Sequence, residues 1–242
     1  MVNHHKKHPV DLSTVRICVS GSAPMPVSLI EDVEKTLGGS ILEGYGLTEC
    51  CAGACGNPLG KRKAGTVGLP LDGTEVKLVD GEIWIKGPQL MKGYFEDPEA
   101  TKAAISPDGW LKSGDLGAID SDGYVTILSR KKELIIRGGF NVYPAEVESV
   151  LREIDGVLDV TVVGLPDQLH GESVHAALIT ELEDREIAER ILRHSADKLA
   201  RYKRPTSFSM HRDFPRTGSA KVQKHNLAQE LKSRPELVLK LS

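Results

Sequence analysis

The feature that most constrains the fold is a set of three Asp-Gly pairs, at 72–73, 80–81 and 122–123, each beside a short run of alternating apolar and polar residues. The runs read TEVKLV at 74–79, EIWIK at 82–86 and YVTIL at 124–128. A period of two puts every second side chain on one face, and Asp-Gly readily takes the left-handed conformation of a tight hairpin turn. Residues 65–127 are therefore expected to form a small β-rich section. One helix should interrupt it, with Asp97 as N-cap and Pro98 in the first helical position, where a missing N–H costs nothing.

The texture differs on either side. VRICVS at 15–20 is a β-branched run ending at Gly21, and Pro26 opens a helical pattern in which Leu29, Ile30, Val33 and Leu37 share a face. Strand, turn and helix in that order is an α/β signature. The basic, turn-free stretch SRKKE at 129–133 then separates a second mixed section, so a domain boundary is expected near residue 129, giving domains 1–128 and 129–242. The second section reads as strand 134–136, helix 144–152, strands 158–163 and 173–179, and helix 184–199, an α+β pattern predicting a small three-stranded sheet with packed helices. No internal repeat or low-complexity tract is present.

The 242 residues are 40% hydrophobic and 27% charged, enough apolar material for a sizeable core in one large or two small domains. A net charge of −3 shows no general cationic excess, so nucleic acid is not an expected partner. No run of eighteen apolar residues occurs and the first thirty residues lack a secretory pattern. The expected compartment is the cytoplasm, with peripheral membrane attachment left open. Cys18, Cys50, Cys51 and Cys55 lack zinc-site spacing and read as reduced structural thiols. His4, His5 and His8, beside Lys6 and Lys7, read as a solvated basic arm.

GYGLTE at 44–49 sets a flat ring beside a hydroxyl and a carboxylate. Stacking on a base, bonding a phosphate and holding Mg²⁺ need such groups; an ordinary turn with a solvated Glu49 explains the segment as well. Five further blocks follow a fixed order: GSAP at 21–24, GEIWIKGPQLMKGY at 81–94, WLKSGDLG at 110–117, SRKKELIIRGGFNVYPAEVESVL at 129–151, and PRTGSAKVQK at 215–224. With these the chain resembles the C-terminal portion of an adenylate-forming (AMP-binding) acyl-CoA synthetase. The leucine of YGLTE, Lys132 and IIRGGFNVYPAEVE look like the fatty-acyl and aryl-acyl CoA ligase branch.

The resemblance implies the C-terminal part of an AMP-binding large domain (an α/β segment and a small β-rich subdomain), then a mobile α+β C-terminal domain. It implies ATP-dependent activation of a carboxylic acid, a fatty acid foremost, to acyl-AMP, and transfer to coenzyme A. Gly21, Ser22, Ala23, Pro24, Gly44 and Gly46 would surround the adenine, with Tyr45 stacked on it. Thr48 would contact the α-phosphate and Glu49 hold Mg²⁺. Asp115, in the SGDLG turn, and Arg130 would take the ribose hydroxyls. Lys132 would be the hinge, Lys221 the mobile lysine of the adenylation step, and Gly138 and Gly139 the close approach for the pantetheine arm. Ala220 departs from the commoner glycine before that lysine.

Such an enzyme also has a Ser/Thr/Gly-rich phosphate loop ending in Lys-Gly. The nearest match here, GNPLGKR at 56–62, has the wrong spacing and an arginine where a hydroxyl should bind metal. The expectation is a ligase portion that acts with an N-terminal half; the alternative is a non-catalytic remnant binding a nucleotide or a protein partner.

Overall fold

The computed structural model describes residues 7–23, 25–218 and 221–241; His4, His5, Pro24 and Ala220 lie outside that set. The chain divides into two compact units, Met1–Ile127 and Leu128–Ser242.

In the first unit, β1 (Ile17–Ser20) and β2 (Ser40–Tyr45) pair in parallel, with Ser20 opposite Glu43. Between them runs α1 (Val27–Leu37), ended by Gly38 at φ 75°, where a residue with a Cβ would be strained. Ile30, Val33 and Leu37 bury against Ile41. Leu29, expected on that face, is 44% exposed: at 100° per residue it lies a full step around the helix from Ile30. β3 (Cys55–Gly56) and β4 (Leu69–Pro70) extend the sheet antiparallel.

The β-rich section forms a four-stranded sheet in the order β5 (Glu75–Val79), β6 (Glu82–Lys86), β7 (Leu111–Ile119), β8 (Val125–Arg130). Asp80 and Gly81 both have positive φ, as the two-residue hairpin between β5 and β6 requires. Ile83, Ile85, Leu111 and Val125 point inward onto Cys50, Ala54 and Cys55. Alternate positions build a column of Lys77, Trp84 and Lys112, with the Lys77 ammonium 4.0 Å from the Trp110 ring centroid. The interrupting helix is α2 (Pro98–Ala104), and Asp97 Oδ1 accepts the Ala100 N–H at 2.9 Å.

SGDLG corrects the expectation of a turn. It lies within β7. Lys112 pairs with Trp84 but Leu116 pairs with Glu82, so β7 carries two extra residues at a bulge, where Gly114 has φ 73°. Local chemistry favoured a turn; cross-strand pairing overrode it.

In the second unit, SRKKE is not turn-free: Ser129 and Arg130 end β8, and Lys131–Glu133 form a 3-10 turn. Next come β9 (Ile135–Arg137), β10 (Phe140–Val142), α3 (Pro144–Leu151), β11 (Val157–Asp167), β12 (Gly171–Thr180), α4 (Asp184–Lys198), β13 (Ser207–Met210), α5 (Lys224–Ser233) and β14 (Leu239–Lys240). The sheet has six strands, not three: β10-β9-β12-β13-β14, with β11 also paired to β12. The crossover through α4 makes β12 and β13 parallel. Alternation along β11 and β12 sends Val160, Val162, Val174 and Ala176 toward α3 and α4, and Val163, Leu165 and Ala177 toward α5.

Candidate functional site

Because β1 and β2 are parallel and in register, the segments following them leave the same edge of the sheet, the edge at which open α/β sheets bind ligands. A Cβ on Gly21 would stand 3.4 Å from the Gly44 carbonyl, so GSAP and GYG meet there. Ser22 has φ 70° and, like Ala23, is exposed. Gly44 and Tyr45 are the last residues of β2 rather than part of the following loop. Gly46 permits a backbone crossing, since a Cβ there would lie 2.0 Å from the Ala52 carbonyl oxygen.

Tyr45 reaches across 70 residues of sequence: its hydroxyl donates to Asp115 Oδ2 at 2.6 Å. Asp115 is 3% exposed, and its N–H donates to Ser113 Oγ at 3.0 Å. Burial first, then the Asp115 charge, pushes the Tyr45 phenol well above its ordinary range, so it stays a donor. The bulge is pinned alongside, with the Gly114 N–H donating to Glu82 Oε1 at 3.0 Å.

Thr48 opens the 3-10 turn Thr48–Cys50 and is exposed; Glu49 follows, half-buried. The turn is closed by Cys50, whose thiol accepts the Leu47 N–H at 3.2 Å and donates to the Leu47 carbonyl at 3.3 Å. Tyr94, to which the sequence assigned no role, donates its hydroxyl to Glu49 Oε1 at 2.8 Å, while the Met91 N–H donates to the Glu49 carbonyl at 2.8 Å. The Glu49 carboxylate in turn pushes the Tyr94 phenol upward. Tyr94 is fixed by its own N–H, which donates to Thr101 Oγ1 at 2.8 Å. Both carboxylates, Asp115 in β7 and Glu49 in its 3-10 turn, are thus gripped by a phenol from a distant segment. The cysteines are free; burial pushes the Cys55 thiol up to about 12, as a structural thiol requires.

In the second unit Arg130 and Lys132 are exposed. Gly138 and Gly139, at φ 58° and 82°, form the two-residue turn between β9 and β10. The turn itself needs positive φ at both positions, which glycine adopts without strain. Lys221 is exposed at the end of a loop: its N–H donates to Thr217 Oγ1 at 3.2 Å, and its carbonyl accepts the Thr217 N–H at 2.8 Å. Lys224, at the start of α5, bonds buried Glu148 at 2.6 Å and lies 3.6 Å from Glu133, tying that loop's base to the 3-10 turn. Lys203 and Arg204 are engaged structurally: Lys203 with Glu146, and Arg204 with the Ala196 carbonyl of α4 and the Leu199 carbonyl just beyond its end.

Residues 1–95 match the AMP-binding enzyme family, and residues 146–221 match the AMP-binding enzyme C-terminal domain. The chain belongs to the AMP-binding enzyme family. Its relatives are acyl-CoA ligases. It is 37% identical over 243 residues to a long-chain-fatty-acid–CoA ligase of Bacillus subtilis, covering 95% of this chain and 43% of the relative. It is 40% identical over 246 residues to a 4-coumarate–CoA ligase-like protein of Oryza sativa, covering 94% and 44%. Among solved structures, ATP-bound MatB from Rhodopseudomonas palustris superposes with a TM-score of 0.81 at 36% identity, covering 88% of this chain and 45% of that one. The o-succinylbenzoate CoA synthetase of Bacillus subtilis, solved with ATP and magnesium, gives 0.81 at 33%, covering 93% and 49%. The chain spans less than half the length of these relatives.

Proposed function

We propose that this chain carries the adenine- and ribose-holding edge and the mobile lysine of an ATP-dependent acyl-CoA ligase, acting with a segment equivalent to the part of the relatives it does not span. The observation that carries the reading is the bond from Tyr45, at the end of β2 where Gly21 and Gly44 meet, to Asp115 in β7. Tyr45 offers a ring for the adenine, and Asp115, with Arg130, offers partners for the ribose hydroxyls.

No group of three metal-ligating side chains gathers among the described residues. Glu49 beside Thr48 suits magnesium all the same, because that ion takes one or two carboxylates together with phosphate oxygens and water. Bound there it would neutralise phosphate charge. A substrate carboxylate oxygen attacks the α-phosphorus and the bond to pyrophosphate breaks. Lys221 supplies a compact charge on a flexible stem to the oxygens gaining negative charge. Coenzyme A sulfur then attacks the acyl carbon, losing its proton, and AMP departs. Lys132 is the proposed hinge that lets one small domain serve both half-reactions. The bare Gly138–Gly139 turn then admits the pantetheine arm. Fatty acids are the proposed substrate class, from the relatives' names.

The test is thioester formation from ATP, coenzyme A and a panel of fatty and aryl acids, with and without an N-terminal segment from a related ligase. Activity abolished by Lys221→Ala or Glu49→Ala supports the reading. Inactivity in a folded, assembled mixture points to a module that binds a nucleotide or a protein without turnover.

A further inference from the structure

Tyr45 presents two chemically different surfaces, a ring face and a hydroxyl. The ring suffices for stacking on a base, and phenylalanine would supply it equally. The hydroxyl is spent on Asp115 at 2.6 Å, in a place where Asp115 is 3% exposed. A short bond from a neutral donor to a buried carboxylate is among the stronger hydrogen bonds, and it fixes the carboxylate's rotation. Backbone restraint acts on the same residue and the one before it, through the Asp115 N–H on Ser113 Oγ and the Gly114 N–H on Glu82. Two hydroxyls on adjacent ribose carbons demand an acceptor whose lone pairs point in set directions; a freely turning carboxylate would trade that directionality for rotational freedom.

We infer that the Tyr45 hydroxyl is a positioning group for Asp115 and, through it, sets this site's discrimination between ribose and deoxyribose nucleotides. The inference rests on the ribose-binding reading of Asp115. It separates the tyrosine at this position from other aromatic residues: the ring serves affinity for any adenine nucleotide, and the hydroxyl serves selectivity for the sugar.

The experiment is calorimetric binding of ATP, 2′-deoxy-ATP and 3′-deoxy-ATP to the full chain, alone and with the complementing segment, for wild type, Tyr45→Phe and Asp115→Asn. In wild type, ATP should bind roughly tenfold tighter than either deoxy form, the worth of one hydrogen bond to a charged group. Tyr45→Phe should reduce that ratio at least threefold by weakening ATP while leaving the deoxy forms within about twofold. Asp115→Asn should bring the ratio close to one. Equal weakening of all three nucleotides by Tyr45→Phe would show a stacking or folding role only and overturn the inference. A ratio lost in Asp115→Asn but intact in Tyr45→Phe would overturn it while leaving the ribose reading standing. Wild type with no preference among the three would sink both.

Discussion

The two units hold their functional groups in opposite ways. In the first, Asp115 and Glu49 are each gripped by a phenol, Tyr45 and Tyr94, drawn from 70 and 45 residues away. In the second, Lys221, Lys132, Gly138 and Gly139 stand exposed on turns built from neighbouring residues. The first arrangement is preorganised by tertiary structure. The second is presented by local backbone geometry. Substitutions at the first should therefore disturb stability and binding together, whereas those at the second should disturb turnover alone.

Acid should separate the units most. His175 is fully buried, its ring nitrogens 2.9 and 2.8 Å from the hydroxyls of Ser207 and Ser209. Burial, then the nearby charges of His211 and Lys240, pushes its pKa down to about 3 from 6.5. The folded state resists that proton, so this contribution is intact above pH 6.5 and declines as pH falls toward 3. The loss is about 3 kcal/mol by pH 4. In the first unit Glu43 is raised, chiefly by burial, so its contribution is fully present below pH 4.5 and lost as pH rises through its folded value. Hydrogen exchange at pH 7 and pH 4 should show protection failing first in β12 and β13; loss in β2 at the same pH would break the contrast.

Gly46→Ala comes next. A methyl 2.0 Å from the Ala52 carbonyl forces the backbone apart, and thermal unfolding should report a loss of about 3 kcal/mol confined to the first unit. Lys221→Ala should reverse that pattern, slowing adenylate formation about a hundredfold, measured by pyrophosphate exchange in the assembled ligase, with the melting temperature unchanged. A shifted melting temperature would mean that the loop is part of the packing. The smallest effect belongs to Tyr94→Phe. It removes one donor from Glu49 at a half-exposed site, for about 1 kcal/mol, read as a severalfold increase in the magnesium needed for half-maximal nucleotide binding.

The same contrast explains what was legible in the sequence. Helices α3 and α4 and strands β11 and β12 fall within a few residues of expectation, because long periodic runs announce themselves. β10 is absent from the expected elements because its three residues carry no period, and the two-residue turn and pairing with β9 decide it. β13 and β14 were missed because four residues and two carry no period, and pairing with β12 and with each other decides them. The motif residues stand out as blocks of sequence, but the phenol–carboxylate bonds do not, since no local pattern encodes a contact across 45 or 70 positions. GEIWIKGPQLMKGY did contain Tyr94, and its terminal tyrosine was the available signal.

The bulge in β7 makes residue count matter more than residue identity along 111–115. Side chains alternate faces with every step along a strand. Removing one residue between Leu111 and Asp115 would turn the carboxylate away from Tyr45, however conservative the remaining letters. The same deletion at 121–123, in the turn between β7 and β8, would be absorbed by the turn. Length variation between homologues should therefore gather in such turns, and the stretch from Leu111 to Asp115 should act as a fixed ruler.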